Sequence, residues 1–336
     1  MSAGLEADRA FCQRVLPGVS RTFALSIEVL PEELREAVRV SYLICRVVDT
    51  IEDTADIPTP LREQLFDSFD QLTEDAGADP GALERQFRQA LSRADRREQE
   101  LCHNAGAVFR TLRALSAEQQ QAILPSVQEM SRGMRAYSRR PAEERYLQDL
   151  QDLDRYCYFV AGTVGELLTR LFLLQVPLPS AEQTAEMERR AIRFGLGLQL
   201  VNVLKDVAGD LQRGECFMPL SEARALGLDL DRLLEPDQRE TGLALVRQIS
   251  AHARGHLRQA RLYTLAWPTP AGDDVRLFCA VPLALAQATL SEVEAGHNTL
   301  VPGRAPAVTR QTVMQTYAAV RAALGDDAAL GALLEA

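Results

Sequence analysis

Apolar residues recur at three- and four-residue steps along nearly the whole chain, and no other feature constrains the fold as strongly. Leu43, Val47 and Ile51, and again Leu198, Val201 and Leu204, lie one helical turn apart, so each segment gathers its apolar side chains on one face only as a helix. The residues between them are rich in Ala, Leu, Arg, Glu and Gln, which are strong helix formers, and β-branched runs are few. Breakers cut the pattern at Pro58 and Pro60, Gly77 to Pro80, Pro141, Pro177 and Pro179, Pro268 to Gly272, and Pro302 to Pro306. The segments between breaks run roughly 20 to 35 residues, most of them expected as long helices. Ser116 followed by Glu118 and Gln119, and Ser180 followed by Glu182, read as helix starts. There is no fixed-period repeat and no low-complexity linker. The expectation is a single all-α domain over residues 1–336, with a ragged tail after about Leu324.

Of the 336 residues 46% are hydrophobic and 25% charged, an ordinary globular balance. The 37 Lys and Arg against 47 Asp and Glu leave a formal charge of −10. That argues against a general nucleic-acid binder, which needs a broad basic surface. An anionic substrate would instead need local cations, either a metal or a few placed Arg and Lys.

Cys12, Cys45, Cys102, Cys157, Cys216 and Cys279 form no CxxC pair, and most have apolar neighbours; they are expected as free, core-packed thiols. No basic segment leads into an apolar run at the N-terminus. The apolar run Leu277 to Leu290 is about 14 residues and holds Pro282, against about 20 for a spanning helix. A second run, Tyr156 to Leu178, is interrupted by Glu166 and Arg170. The expected location is cytoplasmic.

Two acidic clusters carry the chemistry. Asp49-Thr50-Ile51-Glu52-Asp53 follows the apolar stretch Val38 to Val48. On a helix Asp49, Glu52 and Asp53 share one face, where like charges at i,i+4 repel. Carboxylates crowded at a largely interior position hold protons or share a cation. Oxygen-only ligands favour a hard ion such as Mg²⁺, with Mn²⁺ as a substitute, and such an ion usually keeps water and substrate phosphate as further ligands. The second cluster, Asp206 and Asp210, closes the apolar segment Phe194 to Leu204. Gln199 and Asn202 lie upstream on nearly the same face and are expected to need buried partners. Tyr42 and Arg46 share the first acidic face, Arg21 lies near a helix start, and Lys205 and Arg213 flank the second cluster. These cations suit a diphosphate, which carboxylates bind only through metal. In a third segment, Tyr156 to Glu166, aromatics mix with Gly162 and Gly165, fitting either tight helix packing or a slot for an apolar chain.

The stretches SRTFALSIEVLPEELREAVRVSYLICRVVDTIEDT, YCYFVAGTVGELLTRLF and LQLVNVLKDVAGDLQRGECFMP resemble, in this order, three motifs of the squalene/phytoene synthases. These enzymes join two prenyl diphosphates head to head. The similarity covers about residues 11–218 and, less sharply, continues to about 312. Within the family, LFCAVP at 277–282 and AVT at 307–309 are more similar to squalene synthases than to phytoene synthases. Lys205 stands where the family usually has Arg, Gly209 replaces an acidic residue, and Glu215 replaces a basic one. The last change puts a negative charge near the expected diphosphate or cofactor phosphate.

The resemblance implies an all-α isoprenoid-synthase fold with a central cavity. It implies two farnesyl diphosphates held between the Asp-bearing helices through Mg²⁺, on the metal ligands Asp49, Glu52, Asp53, Asn202, Asp206 and Asp210. Arg21, Tyr42, Arg46, Gln199, Asn202, Lys205 and Arg213 would bind the diphosphates. Tyr156 would assist proton loss on the way to presqualene diphosphate, and NADPH would reduce that intermediate to squalene. Phe23, Phe159, Val160, Leu168, Leu198 and Phe278 would wall the prenyl chains from water, although core packing would account for any one of them singly. Alternatives are a phytoene or dehydrosqualene synthase working without NADPH, and a non-catalytic assembly protein of the same family. The lipid-soluble product allows peripheral bilayer contact. His252 and His256, four apart without a zincin Glu, are expected on an exposed helix face.

Overall fold

The computed structural model describes residues 3–20, 22–54, 56–91, 94–141 and 146–335, and its regular elements are all helical. They fall into two compact units, residues 1–139 with 166–177, and residues 140–165 with 178–336.

The first unit holds α1 (Ala3–Val19), α2 (Thr22–Ile27), α3 (Glu32–Asp53), α4 (Thr59–Glu74), α5 (Gly81–Ala90), α6 (Arg96–Cys102), α7 (Ala105–Arg113) and α8 (Ala117–Ser138). Its axis is α3, packed by α1, α4, α6, α7 and α8. Nearly every α3 residue from Ala37 to Val48 is buried, including Val40, Leu43, Ile44 and Val47 at 0% exposure. The helix therefore holds Asp49 largely out of water, while Asp53 at its last position reaches solvent. Ser116 starts α8 through a full capping box with Gln119, as the sequence indicates. The stretch between Pro80 and Ser116 forms three short helices rather than a long one. Asp95 starts α6, its side chain capping the helix by accepting from the Arg97 amide.

The second unit holds α9 (Leu150–Cys157), α11 (Ala181–Gln212), α12 (Leu220–Ala225), α13 (Arg239–Ala266), α14 (Asp273–Ala295), α15 (Arg310–Ala323) and α16 (Asp327–Leu333), while α10 (Thr163–Gln175) begins in it and ends in the first unit. Ser180 caps α11 through the Gln183 amide. The long α11 packs on α13, α14, α9 and a π-helical turn at Tyr158–Gly162. Gly165 and Gly195 make the closest approaches. A Cβ on Gly165 would lie 2.2 Å from the Ala191 carbonyl oxygen, and one on Gly195 would lie 2.2 Å from that of Ala161. Gly165 of the segment Tyr156 to Glu166 thus serves tight helix packing.

The tail is not ragged. Leu330 and Leu334 are fully buried, Arg261 Nε donates to the Gly331 carbonyl at 2.8 Å, and Gln287 Nε2 donates to that of Leu334 at 2.7 Å. Buried Arg276 reaches Asp327 at 2.6 Å and the Leu265 carbonyl at 2.7 Å. The sequence hides this because the anchoring groups lie about 50 to 70 residues upstream, beyond the reach of local patterning. Leu150–Gln175 and Asp273–Ala295 are both long and apolar enough to cross a bilayer by length and composition, contrary to the estimate from apolar runs alone. In the second of these helices 78% of the most apolar window is buried within the protein. All six cysteines are free and buried.

Candidate active site

The first acidic stripe lies at the C-terminal end of α3. Arg46 Nη1 sits 3.8 Å from Asp49 Oδ2 and 3.7 Å from Asp53 Oδ2, while its Nη2 donates to Glu98 of α6 at 2.6 Å. Asp53 is exposed and Glu52 half-buried. Asp49 is only partly exposed, and its Oδ1 is buried with no hydrogen-bond partner among the described residues. Burial pushes the Asp49 carboxyl up to about 8, with Arg46 opposing the shift and Asp53 adding to it. An acceptor with nothing to accept, on a carboxyl that resists ionising, fits a position reserved for a cation. Mg²⁺ fits this donor set. Tyr42, whose hydroxyl is 3.3 Å from the Val19 carbonyl, is held above its ordinary pKa by burial. Ser20 accepts from the Phe23 amide at 3.1 Å, starting α2, and Phe23 packs on Tyr42 with centroids 5.8 Å apart. Arg21 lies outside the described residues.

The second stripe runs along the last turns of α11. Asn202 Nδ2 reaches Gln199 Oε1 at 3.4 Å, Lys205 Nζ reaches Asn202 Oδ1 at 3.4 Å, and Lys205 Nζ lies 3.2 Å from Asp206 Oδ2. Asn202 is exposed and Gln199 half-buried, so the buried partners expected for them are not needed. They form one polar ladder on a solvent-reaching face. Asp210 is buried and accepts from Arg213, which also stands 3.9 Å from Glu215. Burial lifts the Asp210 carboxyl to about 6; Arg213 opposes the shift, and Asp206 and Glu215 add to it. The effect of Glu215 is thus felt at the acidic stripe itself.

Tyr156 lies in the last turn of α9 at 4% exposure, with its ring stacked on Phe217 at 4.7 Å and 19°. The π turn follows two residues later, a local widening common at functional sites. Of the wall candidates in the second unit, Phe159, Val160 and Leu198 are half-buried and Phe278 fully buried. In the first unit Phe23 and Leu168 are half-buried.

Sequence reading missed Glu98, Phe217 and Asp154, because each meets its partner only across the fold. It misplaced the histidines: His256 is buried at 1% and His252 half-buried. Both lie against Asp154 of α9, with His252 Nε2 2.7 Å from Asp154 Oδ1. Burial would raise the Asp154 carboxyl, but the two imidazoles outweigh it and hold it well below the usual carboxylate range. Helix periodicity shows that the two histidines share a face, not what covers that face.

The sequence model of the family described as squalene/phytoene synthase matches residues 16–316. The squalene synthase of Eremothecium gossypii is 30% identical over 287 residues, covering 84% of this chain and 61% of the relative. That of Schizosaccharomyces pombe is 30% identical over 285 residues, covering 84% and 59%. The chain therefore spans about three fifths of the length of these curated relatives. Among solved structures, TcSQS with the ligand BPH1237 superposes with a TM-score of 0.78 at 25% identity, covering 97% of this chain and 92% of that one. A dehydrosqualene synthase in complex with ligand gives 0.68 at 20%, covering 96% and 98%. The three motifs, in their order and on the helices described above, fall inside the matched span, and the chain belongs to the squalene/phytoene synthase family.

Proposed function

We propose that the chain joins two farnesyl diphosphates head to head to presqualene diphosphate and reduces that product to squalene with NADPH. One observation carries most weight: two helices each end a buried apolar run in an i,i+4 aspartate pair, and in each pair burial holds one carboxyl above its ordinary pKa. Groups tuned in this way are more common at reactive sites than in scaffolding. It supports an enzyme over the assembly-protein reading.

Bound Mg²⁺ would supply Lewis-acid neutralisation of the departing diphosphate, and Asp49, Glu52, Asp53, Asn202, Asp206 and Asp210 would hold it. The remaining work falls to side chains of the chain. Arg21, Tyr42, Arg46, Gln199, Lys205 and Arg213 bind and orient the diphosphates. The C–O bond of one substrate breaks, and the diphosphate leaves with the electron pair. The 2,3 double bond of the other substrate attacks the allylic cation, and loss of a proton closes the cyclopropane. Tyr156 assists that proton removal, with the released diphosphate as the alternative acceptor. Phe23, Phe159, Val160, Leu168, Leu198 and Phe278 keep water from the cation, which would otherwise be trapped as an alcohol. After the second ionisation and ring rearrangement, NADPH would supply the hydride that yields squalene.

Glu215 favours a second reading. Its negative charge beside Arg213 and Asp210 disfavours a further phosphate there, so the reaction would end by proton loss, as dehydrosqualene from farnesyl or phytoene from geranylgeranyl diphosphate. Purified protein given each diphosphate with Mg²⁺, with and without NADPH, separates the readings by product. Squalene formed only with NADPH supports the first. Dehydrosqualene or phytoene regardless of NADPH supports the second, and no condensation product in any mixture overturns both.

A further inference from the structure

The cluster of Asp154, His252 and His256 lies outside the two acidic stripes and takes no part in the chemistry above. His252 and His256 are one turn apart on α13 and turn their Nε2 atoms to the same point, 3.3 Å apart. Asp154 of α9 brings Oδ1 to that point, 2.7 Å from His252 Nε2 and 3.5 Å from His256 Nε2.

Protons satisfy this arrangement poorly. His252 can donate to Asp154, but His256 reaches the same oxygen only at 3.5 Å. The 3.3 Å nitrogen–nitrogen contact is no hydrogen bond once both nitrogens carry protons. His256 is 1% exposed and its Nδ1 is buried with no partner among the described residues, so the ring is held by what its Nε2 meets. A single cation would take all three lone pairs. In a tetrahedral site with ligands about 2.0 to 2.1 Å from the metal, neighbouring ligand atoms stand about 3.3 Å apart. Two of the three edges are already near that length, and a small rotation of half-buried His252 opens the third. Beside the two histidines lies a cavity of about 370 Å³, lined also by Arg189, Arg190, Arg193 and Gln259, which leaves a route in and a place for a fourth, non-protein ligand.

We propose that Asp154, His252 and His256 form a binding site for an imidazole-preferring divalent metal of the Zn²⁺ class. Two imidazoles and one carboxylate suit Zn²⁺ and its first-row neighbours rather than Mg²⁺, so the site is chemically separate from the all-oxygen stripe of α3. It ties α9 to α13 two residues before Tyr156, and the bound metal acts as a clasp on the segment that presents that tyrosine.

The test uses the full chain, stripped with a chelator and kept in excess Mg²⁺ so that the carboxylate stripes are supplied. Zn²⁺ is titrated against a chromophoric chelator, Co²⁺ is followed by its visible absorption, and melting temperature is read with and without Zn²⁺. The expected result is one Zn²⁺ per chain, a Co²⁺ spectrum of mixed nitrogen and oxygen ligation, and a melting temperature raised by Zn²⁺. His252→Gln and Asp154→Asn, both at half-buried positions, should each weaken Zn²⁺ binding on the order of 100-fold or more and remove the melting shift. Asp49→Asn and Asp206→Asn should leave both unchanged. Less than one Zn²⁺ per chain, wild-type affinity in His252→Gln, or loss of the site in Asp49→Asn would overturn the assignment.

Discussion

Arg46 approaches Asp49 to 3.8 Å through Oδ2 and leaves Oδ1 of the same carboxyl buried without a partner among the described residues. The guanidinium is engaged more closely elsewhere, at 2.6 Å by Glu98. The carboxyl at the head of the first stripe is therefore half-neutralised, a poor structural ion pair and a good waiting ligand. The following expectations rest on that imbalance and its counterpart at Asp210.

Removing the buried charge should cost activity and add stability. The folded pKa of Asp49, about 8, lies above its ordinary 3.8, so its favourable contribution is complete below about pH 4 and is lost as pH rises through about 8. In metal-free protein the melting temperature of Asp49→Asn should exceed wild type by an amount that grows up to about pH 8 and then levels. Turnover should fall to background with the helical spectrum retained, and the same loss of turnover is expected for Asp206→Asn. Substantial Mg²⁺-dependent turnover in both variants would end the metal assignment.

Mg²⁺ binding should release protons. A ligand that holds its proton up to about pH 8 must lose it to coordinate. Calorimetric titration at pH 7 in buffers of different ionisation enthalpy should show close to one proton released per chain from Asp49. Asp210, at about 6, should add only a small fraction. Affinity at the first stripe should rise with pH through about 8; a flat profile would contradict the burial of Asp49.

Glu215→Gln should lower the Asp210 pKa, since the Glu215 charge is one of the influences raising it. The acid limb of the pH–rate profile should move to lower pH, and with NADPH present the squalene fraction should rise. An unmoved acid limb would remove Glu215 from the site's electrostatics.

Tyr156→Phe keeps the ring stacked on Phe217 and deletes only the oxygen. Loss of proton-transfer assistance should slow presqualene diphosphate formation by roughly 10²- to 10⁴-fold with the melting temperature within a few degrees of wild type. Near-normal rates would leave the released diphosphate as the base.

Gly165→Ala and Gly195→Ala each force a methyl within 2.2 Å of a backbone carbonyl that belongs to a packed helix. Backbone cannot rotate away as a side chain can, so each should destabilise by about 1 to 3 kcal/mol, measured as a drop in urea midpoint. Gly214→Ala, at φ +84° in a turn with open space around it, should instead lose stability through backbone strain alone.

The helices were legible in the sequence because they are local. The breaks at Pro58, Pro141, Pro177 and Pro268 all fall between helices, since a ring without an amide hydrogen disfavours continuing one, although α1, α8 and α14 run through Pro17, Pro125 and Pro282. The i,i+4 aspartates followed from the same geometry, as did the caps at Ser116 and Ser180. Local spacing could not supply what covers each face. Glu98 comes to Arg46 from 52 residues away, Asp154 to His252 from 98 and the Gly331 carbonyl to Arg261 from 70. Helical period says which residues share a face, and only tertiary packing decides whether that face meets water, a counter-charge or another helix. For that reason Asn202 is exposed where burial was expected, His256 is buried where exposure was expected, and Asp49 has a pKa that depends on its surroundings more than on its sequence neighbours.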